Sequence, residues 1–266
     1  MPGLSPMVLS PLIPDWPDLP ANIGALASTR PGGVSVGRYD DGQGGGGLNL
    51  GLHCGDDAAL VQENRARLAA LLPGRPAWIS QVHGIAVADA ASVQPGQPVR
   101  VADASIASAL GVVCAVMTAD CLPVLFADLG GKVVGAAHAG WRGLAAGVLS
   151  ETIKAMRAAG AGEITAWMGP AIGPSQFEVG ADVFDAFVGG AALGDAAAAR
   201  AAFTPYPGRD GKFLADIYAL GRLYLARDGV TRVSGGTCCT ASDSARFYSY
   251  RRDNVTGRQA SFIWIK

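Results

Sequence analysis

Two histidines and one cysteine lie at the ends of predicted strands, where their side chains can reach a shared cleft. His83 lies in QVHG, Cys121 in TADC and His138 in HAGWRG. A thiolate and two imidazoles are good zinc ligands, and three protein ligands leave a fourth coordination position for water or substrate. The three residues therefore indicate a candidate catalytic zinc site.

Three other interpretations of these residues stay open at this stage. Their separations match no recognised metal-ligand spacing, and a histidine or cysteine at a strand end is often a packed core residue. Cys121 could instead be a nucleophile activated by His138, which would make the protein a cysteine hydrolase without a metal. A binding module without enzymatic activity would use neither chemistry.

Asp120 and Arg142 adjoin the candidate ligands and could take part in the same chemistry. Asp120 directly precedes Cys121. It could act as a general acid or base, or anchor the ligand from behind, although aspartate is also common in plain turns. Arg142 follows shortly after His138 and could place a positive charge beside it, or form a surface salt bridge at a helix start.

The elements that must position these residues are mostly strands. The apolar runs GVVCAVM and LPVLFAD flank TADC, and the run KVVGAAH ends at His138. Their length and composition are typical of buried strands. The following segment WRGLAAGVLSETIKAMRAA has apolar residues at helical spacing, so His138 is predicted at a strand-to-helix junction. A further strand is predicted to end near His83.

The rest of the chain mixes helices and strands without strict alternation. A helix is predicted from Asp56 to Leu72, with Asp56 and Asp57 as candidate N-caps. EITAWMGP is predicted as a strand, ADVFDAFV and DIYALGRLYLAR as helices, and FYSYRRDNVTGRQASFIWI as a terminal hairpin that turns at residues 254–257. The glycine-rich run at 41–47 follows no apolar strand, so dinucleotide binding is rejected. This mixture favours an α+β fold.

Composition narrows the class of protein. The 266 residues carry a formal net charge of −1, which leaves no electrostatic footprint for nucleic acid or anionic membranes. The central run 104–119 is too short for a membrane helix. The proline-rich segment 1–28 is predicted to be irregular and lacks a secretory signal pattern. The five scattered cysteines are expected to be free thiols in the cytoplasm.

Five separated motifs resemble those of the YfiH-type laccase-domain family, in the same order. They are QVHG at 81, TADCLPVLFAD at 118, AAHAGWRGLAAGVL at 136, MGPAIGPSQFEVG at 168 and SYRRDNVTGR at 249. The resemblance runs from about Thr29 to the C-terminus. It implies one catalytic domain over residues 29–266, with an α+β fold layered as an α/β/β/α sandwich of mixed sheets.

The resemblance also implies an activity. Members of that family are described as zinc-dependent purine nucleoside phosphorylases with an adenosine deaminase side activity, and their metal set falls on His83, Cys121 and His138. The expected substrates are phosphate with adenosine, inosine, guanosine or S-methyl-5'-thioadenosine, converted to free base and a ribose 1-phosphate. A monomer without nucleic-acid or membrane partners is expected.

The resemblance extends to residues outside the metal set. Asn49 in LNLG and Arg65 in ENRARL match family motifs and are expected to line the nucleoside pocket, as is Ser35 in GGVS. With Arg142 they form the predicted substrate-binding set, while Asp120 joins the predicted catalytic set. His53 resembles a family histidine with a structural or substrate-edge role.

Two other enzyme classes compete with the phosphorylase. An amidase that edits peptidoglycan precursors would use the same pocket without needing phosphate. A copper polyphenol oxidase is disfavoured, because three histidines cannot ligate a four-copper cluster, although a single cysteine–histidine site could bind copper.

Overall fold

The computed structural model describes residues 9–94, 96–189 and 195–266. Their strands are β1 (Ile23–Ala27), β2 (Pro31–Ser35), β3 (Pro76–Ala77), β4 (Val87–Asp89), β5 (Ala104–Ala107), β6 (Val113–Thr118), β7 (Leu122–Asp128), β8 (Val134–Ala139), β9 (Ile164–Met168), β10 (Glu178–Gly180), β11 (Phe203–Pro205), β12 (Lys212–Ala215), β13 (Val233–Gly235) and β14 (Gln259–Ile265). Their α-helices are α1 (Ala58–Ala69), α2 (Trp141–Ala146), α3 (Val148–Ala158), α4 (Ala181–Val188), α5 (Ala196–Ala201), α6 (Ile217–Arg227) and α7 (Tyr250–Asp253).

Two large mixed sheets dominate the fold. The six-stranded sheet has the order β13-β9-β7-β8-β5-β4, and the four-stranded sheet has the order β1-β14-β6-β3. The pairs β13–β9, β4–β5 and β3–β6 are parallel, whereas the central pairs are antiparallel. A third, small sheet has the order β10-β12-β11.

The two large sheets pack against each other, and helices cover their outer faces. On β7, Leu125 and Ala127 belong to the core between the sheets, whereas Phe126 faces the helical side. This alternation follows from the two-residue period of a strand that is buried on both faces. Helix α3 packs on the six-stranded sheet, and Leu68 of α1 packs with Phe262 on the four-stranded sheet. The layers confirm the predicted α/β/β/α sandwich.

The three central apolar runs form strands as predicted, and they are not all in one sheet. GVVCAVM contains most of β6, LPVLFAD is β7, and KVVGAAH contains most of β8. Because β6 belongs to the four-stranded sheet and β7 to the six-stranded sheet, the TADC segment is a connection between sheets. Cys121 therefore lies where the chain crosses from one layer to the next.

Two predicted helices are confirmed with adjusted bounds. The Asp57 side chain caps α1 by accepting a hydrogen bond from the backbone N–H of Ala59 at 2.7 Å. The helix predicted after His138 is two helices, because Gly147 adopts φ +100° between α2 and α3. Such a left-handed conformation favours glycine and ends the first helix.

The predicted terminal hairpin around residues 254–257 is wrong. Residues Tyr250–Asp253 form α7, which Ser249 caps by accepting a hydrogen bond from the backbone N–H of Arg252. Strand β14 then pairs on one side with β1 and on the other with β6, both distant in sequence. Tertiary pairing thus replaces the local hairpin that the turn residues suggested.

Two further expectations need correction. The strand predicted to end near His83 stops earlier, because β3 ends at Ala77 and His83 lies in a turn with φ +62°. The segment 1–28, predicted to be irregular, contains β1, whose five residues pair with β14. Residues 1–8 of that segment lie outside the described residues. Within the described residues, no helix is long and apolar enough to cross a membrane.

Candidate metal centre

The fold brings His83, Cys121 and His138 together from three different segments. His83 comes from the turn after β3, Cys121 from the connection between the two sheets, and His138 from the end of β8. One ligand atom from each residue lies within 4.8 Å of the other two, and the two imidazole centroids are 4.8 Å apart. Three residues that are separated along the chain thus form one compact donor set.

The spacing of the donor atoms suits a zinc ion. The Sγ atom of Cys121 lies 3.7 Å from Nε2 of His83. Tetrahedral zinc with Zn–S of about 2.3 Å and Zn–N of about 2.0 Å holds these two atoms about 3.5 Å apart. The donor set therefore fits the ion in its chemistry and in this separation.

Asp103 contacts two of the three donor residues. Its Oδ1 atom accepts hydrogen bonds from Nδ1 of His138 at 2.9 Å and from the backbone N–H of His83 at 2.8 Å. Its Oδ2 atom accepts from the backbone N–H groups of Val82 and Gly84. The sequence offered only a weak signal for this residue, a lone acid inside the apolar run VADASIA. Motif reasoning missed it.

The charges of the centre support one another. Burial raises the pKa of the Cys121 thiol, but the charge of His138 and hydrogen bonds from both histidines outweigh burial and lower that pKa. Burial lowers the pKa of His138, whereas Cys121 and the Asp103 carboxylate raise it more strongly. Since a thiolate is the form of cysteine that binds metal, this environment favours the ligating form of Cys121, and a metal that binds His138 must displace a proton from its ring.

The donor set opens onto a cavity of about 600 Å³. Besides the donors, its lining residues include two arginines, Arg251 and Arg258, together with His53 and the aromatic residues Phe177 and Tyr250. A cavity of this size, with mostly apolar walls and a few convergent polar groups, is typical of a small-molecule site. The guanidinium groups make it suited to an anionic ligand.

Asp120 lines the cavity, and protein groups already bind both of its carboxylate oxygens. Oδ1 accepts a hydrogen bond from the Thr240 hydroxyl, and Oδ2 accepts one from the backbone N–H of Arg251, each at 2.6 Å. Its backbone has φ +91°, which is rare outside glycine. This geometry supports an anchoring role that ties the segment carrying Arg251 to the Cys121 connection.

Comparison with known proteins identifies the family to which this chain belongs. A family model described as multi-copper polyphenol oxidoreductase laccase matches residues 24–266. The chain belongs to this family. It is 51% identical to a purine nucleoside phosphorylase of Pseudomonas aeruginosa, an alignment that covers 96% of this chain and 98% of that protein. It is 50% identical to the purine nucleoside phosphorylase YfiH of Escherichia coli, with the same coverage.

A solved structure that is similar in sequence to this chain has the same fold. The chain superposes on the Neisseria meningitidis protein NMB0706 with a TM-score of 0.85 and 48% sequence identity. The match covers 96% of this chain and 99% of that one. The sandwich described above is therefore the architecture of the family, and the resemblance seen in the five motifs is confirmed.

Ser35 and Asn49, predicted to bind substrate, lie in a buried hydrogen-bond network of this laccase-domain chain. The Asp56 carboxylate accepts a hydrogen bond from the Ser35 hydroxyl at 2.6 Å and from the Asn49 amide at 2.9 Å. The carbonyl oxygen of the Asn49 side chain accepts from the backbone N–H of Arg258 at 2.9 Å. Neither Ser35 nor Asn49 is among the residues that line the cavity. Asn49 instead supports a residue that does.

Arg65 and Arg142, also predicted to bind substrate, are not among the lining residues either. The guanidinium of Arg65 lies over the Trp78 ring at 4.1 Å, and its Nε donates to the carbonyl of Leu50. That of Arg142 lies over the Trp141 ring at 4.3 Å. The structure thus places these two guanidinium groups on aromatic rings outside the cavity wall.

Three cavity-lining residues that were not predicted as site residues lie together in one sequence motif. Tyr250, Arg251 and Arg258 all lie in the motif SYRRDNVTGR. The motif supports the family resemblance but by itself assigns no role to these three residues. His53, expected at the substrate edge or in a structural role, lies at the cavity wall.

Proposed function

We propose that this protein is a zinc-dependent purine nucleoside phosphorylase. In this reaction a phosphate oxygen attacks C1′ of the ribose, the C1′–N9 bond breaks, and the purine leaves with the bonding electrons. The names of relatives at 43–51% identity support the proposal. The observation that carries it is that the metal-donor set and two arginine residues line one cavity.

Each part of the cavity has a role in the proposed reaction. His83, Cys121 and His138 would hold zinc, which when bound supplies Lewis acidity toward an oxygen of the reactants. Arg251 and Arg258 would bind phosphate, because guanidinium groups form paired hydrogen bonds with phosphate oxygens. Phe177 and Tyr250 offer aromatic surfaces on which a purine can pack.

The anchored position of Arg251 supports its role in phosphate binding. Its backbone N–H binds Asp120, and its Nη1 donates to the carbonyl of Glu178 at 2.8 Å. A side chain held in this way loses little conformational freedom when it binds an anion. We therefore assign Asp120 to positioning Arg251, in preference to proton transfer.

We also propose adenosine deamination as a side activity of the same cavity. Water would replace phosphate as the nucleophile and would attack C6 of the base instead of C1′ of the sugar. The C6–N6 bond would break, and the amino group would take up a proton and leave as ammonia. Zinc sites that leave a ligand position free suit this use of water. The two activities would compete for one cavity, so phosphate should favour adenine formation over inosine formation.

The donor set also bears on the rival enzyme classes. With three histidines in the chain, a multicopper cluster lacks the imidazole ligands it needs, despite the name of the family. A metal-free cysteine hydrolase would use Cys121 with His83 or His138 and would keep its activity after metal removal.

All five cysteines are free thiols, which supports our proposal of a cytoplasmic location.

Product analysis tests the proposal. Wild-type protein and Cys121→Ala, both with measured zinc content, are incubated with adenosine in the presence and absence of phosphate, and products are separated by chromatography. Wild type should form adenine and ribose 1-phosphate only with phosphate, and Cys121→Ala should form neither. Zinc-loaded wild type that forms no product from any purine nucleoside would refute the phosphorylase and direct attention to amide substrates.

A further inference from the structure

A single buried carboxylate lies behind both imidazole donors of the centre. Asp103 is fully buried, and four N–H groups converge on its two oxygens. One of these groups belongs to the His138 ring and the other three to the backbone of residues 82–84. The backbone carbonyl of Asp103 also accepts a hydrogen bond from the backbone N–H of His138 at 2.7 Å.

The bond to the His138 ring fixes which nitrogen can bind a metal. A carboxylate accepts hydrogen bonds and donates none, so Nδ1 of His138 must carry the proton. The other nitrogen, Nε2, is therefore the one that can offer a lone pair to the ion. Partners of this kind orient a ligand ring and raise its basicity.

The three backbone bonds hold the other histidine in place. His83 has φ +62°, a conformation that costs free energy for a residue with a side chain. Three consecutive N–H groups pointing at one carboxylate offset that cost and keep the turn closed. The carboxylate thus determines where the His83 side chain leaves the backbone.

We propose that Asp103 is the positioning residue that pre-organises His83 and His138 for metal binding. It does not touch the ion, yet it couples two ligands that come from different segments. The inference rests on the metal centre of the proposed function and is independent of its substrate. If Asp103 did not position the two histidines, the protein could still form adenine and ribose 1-phosphate in the product analysis.

Asp103→Asn tests this role with little change in size. In wild type, each oxygen of Asp103 accepts two of the four N–H groups. An amide has only one acceptor oxygen, so two of these N–H groups must face its NH2 group, which is itself a donor. Either the turn around His83 opens, or the His138 ring accepts from the amide at Nδ1 and carries its proton at Nε2. Zinc affinity should fall about 10- to 100-fold, as measured by competition with a chelating indicator.

Asp128→Asn is the matched control. Asp128 is a buried aspartate at the end of β7, and its carboxylate accepts backbone N–H groups of Gly162 and Lys132 without touching a histidine. This variant should lose thermal stability while keeping the zinc affinity of wild type. The comparison of the two variants distinguishes the effect of losing any buried carboxylate from the effect of losing the carboxylate that orients the metal ligands.

The cobalt-substituted protein provides a second measurement, because its visible spectrum reports the coordination geometry. Asp103→Asn should alter that spectrum and Asp128→Asn should not. Wild-type zinc affinity and an unchanged spectrum in Asp103→Asn would overturn the proposal, as would an equal loss of affinity in both variants. If Asp103→Asn does not fold, Asp103→Glu keeps the charge but displaces both histidines, and an unchanged cobalt spectrum in that variant would also refute the role.

Discussion

At the scale of single residues, Arg258 is held at the cavity wall by hydrogen bonds to neutral groups that do not neutralise its positive charge. Its Nη1 donates to the backbone carbonyls of Thr256 and Gly257, at 3.0 and 2.9 Å. Both partners are neutral, so the positive charge stays available to an anion. The backbone N–H of Arg258 is fixed separately by Asn49.

Arg258→Gln should therefore weaken phosphate binding without unfolding the chain. A hydrogen bond to a charged group contributes about 1.5–3 kcal/mol, so KM for phosphate should rise roughly 10- to 100-fold. Steady-state phosphorolysis at varied phosphate concentration measures the change. Arg67→Gln, which removes a surface ion pair with Glu63 on α1, is the control and should keep the KM of wild type. An unchanged KM in Arg258→Gln would exclude this residue from phosphate binding.

The sequence predicted some of these residues and not others, for a physical reason. His83, Cys121 and His138 are chemically distinctive and stand beside strand ends, so their types and motifs singled them out. The motifs that contain Ser35 and Asn49 predict contact with the substrate, whereas in the structure both side chains donate hydrogen bonds to Asp56. Residue type alone cannot tell a polar group that faces a ligand from one that supports a loop.

At the scale of elements, the junction between β8 and α2 brings backbone very close to the metal donors. A Cβ atom placed on Gly140 would lie 2.5 Å from Cδ2 of His83 and 3.1 Å from Sγ of Cys121. The backbone of Gly140 has φ −61°, which any residue can adopt. Glycine is therefore needed here for space and not for its conformational freedom.

Gly140→Ala should disturb the donor set while preserving the fold. The added methyl group must push the His83 ring or the Cys121 sulfur aside, so zinc content and phosphorolysis should both fall at least about 10-fold, the lower end expected for loss of ligand orientation. Gly162→Ala is the control, because its Cβ would meet its nearest neighbour, Oδ1 of Asp128, at an ordinary 3.5 Å. Full zinc content and activity in Gly140→Ala would show that the centre is looser than its geometry indicates.

Local patterns predicted most elements but not their partners. The apolar runs around TADC read correctly as strands, since apolar residues of strand length report burial. Which sheet each strand joins depends on contacts far along the chain, so the crossing from β6 to β7 was not evident. The terminal hairpin is wrong for the same reason, because β14 pairs with β1 and β6, which are both distant in sequence.

At the scale of the whole molecule, the metal centre joins parts of the chain that belong to different layers. His83 follows β3 of the four-stranded sheet. Cys121 lies in the connection between the two sheets, and His138 is the penultimate residue of β8 in the six-stranded sheet. An ion bound by both residues, and by His83, would cross-link the two sheets at the edge of their shared core. Metal binding should therefore stabilise the folded molecule as a unit.

Removal of the metal should lower the melting temperature. A ligand at 100 times its Kd stabilises the folded state by about 2.7 kcal/mol, provided that it binds the unfolded chain negligibly. For a chain of this size, 1 kcal/mol corresponds to about 2–4 °C, so a chelator should lower Tm by about 5–10 °C. Scanning calorimetry of zinc-loaded and chelator-treated protein measures the shift, and added zinc should reverse it. Cys121→Ala, which lacks the thiolate donor, should melt at the same temperature with and without chelator. Equal Tm values for the zinc-loaded and chelator-treated wild type would mean that the three donors do not link the sheets through a tightly bound ion.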